Sequence, residues 1–205
     1  DTAAILENKI IKGPSFQLRK GPGAHIFNSN IGDNIVFSKG TPRKLRNLNG
    51  SVLSLLTGGA GNNNYWHWLF DVLPRFGLCS KSTNLNKIDY FLLPSLLKQF
   101  QKETLDSLNI PEYKRISSEK FRHIKASELM VTDHPVVISG DAIKGIMNIP
   151  SWISLWLKNN FLNQKIISNK KNNKKIYIDR STQTSNQSPS RFIANEGEVK
   201  QYLLK

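Results

Sequence analysis

Cys79 is the only cysteine in 205 residues. That excludes a disulfide scaffold, and zinc sites built on paired cysteines go with it. Long apolar runs are also missing: none approaches the roughly 18 residues of a membrane span. The N-terminus has no basic stretch followed by an apolar one, so it does not read as a signal peptide. No two aspartates stand in the Asp-x-Asp spacing that holds a nucleotide-bound divalent metal, and no Gly-rich Walker loop occurs. Acid is scarce, with 15 Asp and Glu against 29 Lys and Arg for a net charge of +14. What remains is ordinary for a packed protein. With 39% hydrophobic and 21% charged residues, disorder is excluded, and the length suits one domain or one and a half small ones.

The charge is uneven. No acid lies between Asp141 and Asp179, an interval holding Lys144, Lys158, Lys165, Lys170, Lys171, Lys174 and Lys175. An excess of this kind can draw a chain to nucleic acid, anionic lipid or a phosphorylated substrate. Its Lys/Asn composition reads more simply as a solvated linker.

Four segments follow from the patterning. Residues 1–50 form a β-rich segment, with short apolar pieces such as Ile10-Ile11, Phe16–Leu18 and Ile35–Phe37 between Gly/Pro turns. Residues 51–165 alternate strands and helices. Val52–Leu56 is a compact apolar run, closed by a Gly/Asn-rich stretch over 57–64. A helix follows with Trp66, Leu69, Phe70 and Leu73 on its apolar face. Ile88–Leu93 reads as a buried strand, Ser95 as the cap of the next helix, and strands are expected near Ile116 and over Glu128–Thr132. Pro150 and Ser151 open an amphipathic helix carrying Trp152, Ile153, Trp156, Leu157 and Phe161. Residues 166–174 are the basic linker. Residues 175–205 form one further βα unit, with Asn195 and Glu198 at capping-box spacing. This order predicts an α/β fold with mostly parallel pairing. The chain starts at Asp1 and stops at Lys205 within a helical pattern, so a fragment is expected.

Chemistry concentrates in Asn64-Tyr65-Trp66-His67-Trp68-Leu69-Phe70-Asp71-Val72-Leu73-Pro74-Arg75. On a helix, His67 and Asp71 share a face one turn apart, and Arg75 extends that stripe. Such a pair supplies a general base whose imidazole the carboxylate orients. It equally describes a local helix pair beside an aromatic cluster. Pro74 removes the donor for the Phe70 carbonyl, which predicts a kink or break before Arg75. The aromatic residues at the helix start suit sugar stacking as well as core packing. A second block places Arg180 beyond a short strand and Arg191 before a helix, positions that favour a diphosphate and equally describe a surface arginine pair beside the capping residues Asn195 and Glu198. His25, His123 and His134 read as structural or solvated.

Taken together, the stretch Tyr65–Arg75 and the block Tyr177-Ile178-Asp179-Arg180, Arg191, Asn195-Glu196-Gly197-Glu198-Val199 resemble the signatures of family 61 glycosyltransferases. The resemblance covers roughly residues 50–205. It departs at Asp179, where Ser is more usual, and at Gly197, which replaces an acidic residue. The resemblance implies a GT-B-like fold: a Rossmann-like N-terminal domain on the acceptor side and, here, only the start of a donor-binding domain. It implies an inverting transfer from a nucleotide-sugar to a polysaccharide or glycan acceptor, as in capsular or surface polysaccharide synthesis, with no metal cofactor. It further implies His67 and Asp71 as catalytic, Asn64, Trp66 and Arg75 as substrate-binding, and Arg180, Arg191 and Glu196 as donor phosphate-binding. The expected location is cytoplasmic, with the charge allowing peripheral association with an anionic membrane. Two other readings compete: a non-catalytic glycan-binding remnant using Trp66 and Trp68, and a basic nucleic-acid-binding module. No RNP motif, helix-turn-helix or KH loop supports the latter, and no nucleic-acid partner is expected.

Overall fold

The computed structural model describes residues 2–11, 14–15, 36–37, 40, 43–56, 64–136, 148–162, 177 and 195–203. The chain divides into two compact units, Asp1–Gln164 and Lys165–Lys205.

The first unit opens with a two-residue hairpin, β1 (Ile5–Leu6) against β2 (Lys9–Ile10). Glu7 and Asn8 between them both have positive φ, as a tight primed hairpin turn requires. Val36 and Phe37 are helical, not extended as their β-branched and aromatic character suggests, and Phe16–Leu18 lies outside the described residues.

The core of the unit is a four-stranded sheet. Its strands are β3 (Arg46–Ser54), β4 (Tyr90–Leu93), β5 (Arg115–Ser117) and β6 (Ile124–Val131). The spatial order is β5-β4-β3-β6, and all three pairings are parallel. Mixed α/β architecture with a parallel sheet is therefore what the alternating pattern predicts and what the chain adopts. Strand β3 starts earlier than the apolar run alone suggests, because its first half pairs with β6 through exposed and half-buried residues. The register slips between Leu48 and Ser51. There Gly50 sits at φ +140, and an added Cβ would lie 2.6 Å from Asp89 Oδ2.

A run of helix follows β3: one α turn, α1 (Tyr65–His67), a widened segment over Trp68–Val72, and α2 (Pro74–Cys79). Pro74 does not break the run. Leu73 keeps right-handed helical dihedrals, and its amide donates to the Trp68 carbonyl five residues back at 3.0 Å. The helix accommodates the missing proline donor by widening by one residue, a π-type turn. That extra residue rotates the buried face. Trp68, Val72, Leu73 and Phe76 are all essentially inaccessible, whereas Trp66, Leu69 and Phe70 are half-buried. The regular spacing of Trp66, Leu69, Phe70 and Leu73 thus does not mark the core face, since a uniform 3.6-residue period does not hold across the insertion.

Helix α3 (Gln99–Ser107) is capped at Lys98 and not at Ser95. The Lys98 amide donates to Gln101 Oε1 at 3.0 Å, and the Lys98 carbonyl accepts from the Gln101 amide at 3.1 Å. Ser95 is buried two residues beyond the end of β4, with an unpartnered hydroxyl, and the helix begins three residues after it, at the Lys98 cap. Helix α4 (Ser151–Phe161) presents Ile153, Trp156, Leu157 and Phe161 to the protein. It approaches α2 at Gly77, where a Cβ would meet the Trp156 indole at 2.9 Å. Trp152 stays outside this cluster, with Lys81 over its ring.

One sheet face carries the larger cluster, built on Leu53, Phe91 and Leu93 with Trp68, Leu73, Phe76 and Leu105. Val52, Leu92 and Ile116 point to the other face and form a smaller one. The period-2 alternation of inward positions along β3 and β4 accounts for both.

In the second unit, helix α5 (Glu196–Leu203) begins where the capping spacing predicts. Asn195 Nδ2 donates to Glu198 Oε2 at 3.3 Å, and its carbonyl accepts from the amides of Glu198 and Val199. The basic linker, and the strand expected at Lys175–Ile178 apart from Tyr177, lie outside the described residues. Among the described residues no helix is long and apolar enough to cross a membrane.

Candidate functional site

The sheet runs outward from β3 through β4 to β5, and the chain then returns to place β6 on the opposite side of β3. In open α/β sheets the carboxyl ends of strands flanking such a reversal form the usual ligand crevice. Ser54 and Val131 are register partners, so the carboxyl ends of β3 and β6 lie side by side. The helix following β3 delivers His67, Asp71 and Arg75, and the residues following β6 deliver Thr132 and His134. These five side chains meet.

Asn64 starts the helix. Its Oδ1 accepts from the Trp66 amide at 2.9 Å and from the His67 amide at 3.4 Å, a capping role that fixes where the first turn begins. One turn on, His67 Nδ1 lies 2.6 Å from Asp71 Oδ2. Asp71 is almost wholly buried, while the His67 side chain keeps 26% of its surface exposed. With Nδ1 donating to the carboxylate, the lone pair of a neutral His67 sits on Nε2.

The other carboxylate oxygen, Asp71 Oδ1, lies 3.6 Å from Nε2 of His134. His134 Nδ1 is 3.2 Å from the Val136 amide, which donates to it, and 3.1 Å from the Val136 carbonyl. Taking the amide as donor puts the hydrogen of neutral His134 on Nε2, facing Asp71. Burial holds the His134 imidazole below its ordinary pKa. Asp71 opposes that shift, and the charge of Arg75 adds to it.

Arg75 underlies the cluster at 4% exposure. Its Nε donates to the Asp71 carbonyl at 3.0 Å, and its Nη1 donates to the Thr132 carbonyl and hydroxyl at 2.9 and 3.2 Å. Burial pushes its pKa down to about 10, against the pull of Asp71 and Asp133. At neutral pH it is therefore a buried cation tying the helix to the end of β6.

Trp66 lies beside His67 and is half-buried. Its ring meets His67 edge-on at 5.0 Å and lies against Phe70 at 5.2 Å. Trp68, by contrast, is fully buried and donates from Nε1 to Thr104 Oγ1 at 2.9 Å. It is a core residue and cannot stack on a sugar, which removes it from the glycan-binding pair expected with Trp66.

Of the predicted residues, His67, Asp71, Asn64, Trp66 and Arg75 thus come together on one helix. Glu196 belongs to the second unit, where its Oε1 accepts from the Tyr177 hydroxyl at 2.9 Å. Arg180 and Arg191 lie outside the described residues, as do residues 57–63 of the Gly/Asn loop. The sequence reads His134 as structural or solvated, and the structure buries it beside Asp71; Thr132, which the sequence does not single out, accepts from Arg75. The available signal is their place at a strand's carboxyl end: Thr132 closes the predicted strand Glu128–Thr132 and His134 stands two residues beyond it. Among the described residues no group of three or more His, Cys, Asp or Glu side chains is arranged to hold a metal ion.

A family model described as Glycosyltransferase 61 matches residues 65–205, which include the whole helix run and the second block. No curated protein matches the chain, and no solved structure does.

Proposed function

The chain belongs to the glycosyltransferase 61 family, and on that premise we propose that it moves a sugar from a nucleotide-sugar donor to a glycan acceptor with inversion. In this reading His67 Nε2 takes the proton of the acceptor hydroxyl, and the oxygen attacks the anomeric carbon. The bond from that carbon to the donor phosphate oxygen breaks, and the nucleoside diphosphate leaves. A single displacement of this kind needs one base and a means of stabilising the departing charge. The carrying observation is the 2.6 Å contact between His67 and Asp71 at the carboxyl ends of β3 and β6. Asp71 holds the ring in the tautomer whose free lone pair is on Nε2.

We assign Trp66 to the acceptor as a flat apolar surface beside the base, and Arg75 to holding the helix against β6. Arg180, Arg191 and Glu196 are assigned to the donor by their place in the family block. Two arginines meeting the diphosphate make a divalent metal unnecessary, so activity should survive EDTA. The unit 1–164 is then the acceptor side of a GT-B-like enzyme, and 165–205 belongs to its donor side. A polysaccharide of the cell surface fits as product, and the +14 charge fits a cytoplasmic enzyme working against an anionic membrane. Cosedimentation with anionic vesicles tests that placement.

The test of the reaction is nucleoside diphosphate release from a panel of UDP-, GDP- and ADP-sugars with oligosaccharide acceptors. Release that depends on acceptor, with an inverted anomeric centre by NMR, supports the assignment. Retention of configuration, or release by no member of the panel, overturns it.

A further inference from the structure

His67, Asp71 and Arg75 form one contiguous stripe on a single helix, but the carboxylate at its centre has two oxygens, and the helix occupies only one. The second faces His134, which comes from the segment after β6. Its side chain is 15% exposed, and its Nε2 is 3.6 Å from Asp71 Oδ1. The approach is built from both directions. Arg75 binds the carbonyl and hydroxyl of Thr132, which fixes the backbone two residues before His134. Val136 engages Nδ1, which fixes the ring from the other side. At 3.6 Å the imidazole and the second carboxylate oxygen face each other in electrostatic contact, with Nε2 turned toward Asp71.

We propose that His134 is a positioning residue that holds Asp71 by its second oxygen, so that the first stays aimed at His67 Nδ1. A carboxylate with one partner can swing about its terminal torsion, which is broad and roughly two-fold. Gripped by imidazoles on both oxygens, Asp71 has one orientation, and His67 has one tautomer. The proposal rests on the reading of His67 as the base for its consequence in turnover, but not for its physical content.

Two substitutions separate this role from simple loop packing. Asn in place of His134 carries a polar atom where Nδ1 was, so it preserves the bond to Val136 and loses the reach to Asp71. Gln carries an NH₂ group where Nε2 was, so it preserves the reach to Asp71. The readout is the ring ¹⁵N spectrum of histidine-labelled protein, with His67 assigned by His67→Gln. Native protein should show His67 with Nδ1 protonated. His134→Gln should retain that pattern, and His134→Asn should shift it toward a mixture of tautomers. Unchanged His67 nitrogens in His134→Asn, or a shift in His134→Gln alone, would overturn the proposal. Should His134→Asn fail to fold, His134→Gln and His134→Leu decide it on the same nitrogens: a preserved pattern in Gln and a lost one in Leu is expected, and a preserved pattern in both overturns it. Where transfer is measurable, His134→Asn should lower kcat by about tenfold to a hundredfold with KM little changed, the scale of a misplaced reacting group. Absence of any transfer in native protein would count against the proposed reaction and leave the nitrogen spectrum to judge His134.

Discussion

Arg75, on the helix after β3, donates at 2.9 Å to the backbone carbonyl of Thr132, the residue immediately after β6. The bond spans 57 positions of sequence and ties together the two segments that carry the candidate site. Arg75 is therefore structural in effect even where its charge matters to Asp71.

Arg75→Met should destabilise the fold. It leaves the Asp71 and Thr132 carbonyls without their side-chain donor, at about 1–3 kcal/mol for each buried group left unsatisfied. Arg75→Lys should rescue only part, because one ammonium cannot reproduce the fork that reaches both strands' segments. A urea melt reads both. An Arg75→Met midpoint equal to native would show that the site is held by packing alone.

Much of this arrangement was legible in the sequence, and the reasons for the remainder are local. The continuous apolar runs Val52–Leu56 and Ile88–Leu93, each followed by a helical pattern, are enough to predict a parallel α/β sheet. The His67-x-x-x-Asp71-x-x-x-Arg75 spacing predicts one polar stripe, and that stripe exists. Pro74 hid the core face, because a helix that widens by one residue defeats any fixed period. His134 was hidden because its significance lies in strand order. Only when β6 pairs with β3 does the segment after Val131 reach the helix after Ser54. Ser95 reads as a cap because a serine after Pro94 has the composition of one, but the chain buries it and caps the helix at Lys98 instead.

Gly50→Ala should be costly for a half-buried residue at a strand bulge. Its φ of +140 suits glycine, and the new Cβ would lie 2.6 Å from Asp89 Oδ2. That oxygen accepts from the Ser51 amide at 2.8 Å and the Ser51 hydroxyl at 3.0 Å. A loss of about 1–3 kcal/mol, the range for a residue held in a disfavoured backbone region, is expected by thermal or urea unfolding. Combining it with Asp89→Ala should recover only the steric part.

His134 should make the protein less stable in mild acid. Burial lowers its folded pKa below the ordinary value of 6.5, so the unfolded chain binds the proton first as pH falls. Its contribution is complete above about 6.5 and is lost progressively below that, down through the folded value. Unfolding free energy should therefore fall between pH 7 and pH 5, and His134→Gln should flatten that slope. An unchanged slope in the variant would assign the acid sensitivity to other groups.

The two tryptophans at the helix start should separate cleanly. Trp68→Ala removes a fully buried indole and its bond to Thr104, and a loss of about 3–5 kcal/mol is expected. Trp66→Ala should cost the fold far less while raising the acceptor KM, because its half-buried ring lies beside the base. Circular dichroism melts with acceptor titrations distinguish them. Equal destabilisation by both would return Trp66 to the core.

The decisive substitutions are at the base itself. If His67 removes the acceptor proton, His67→Ala should cut kcat by about 10²- to 10⁴-fold, the usual contribution of a general base. Donor affinity should hardly change, since the residues assigned to the diphosphate lie elsewhere in the chain. Asp71→Asn keeps the size of the side chain and its place beside Arg75 but removes the charge that selects the Nδ1–H tautomer. Its effect should be smaller than that of His67→Ala if the carboxylate only orients the ring. It should be larger if the carboxylate is itself the base, and the comparison made in one assay decides between them. The two changes should also be non-additive, because the pair acts as a unit and removing either member disables the other. Near-native turnover in both single variants, with the fold intact, would make the 2.6 Å contact a packing feature of the helix and move the chemistry elsewhere.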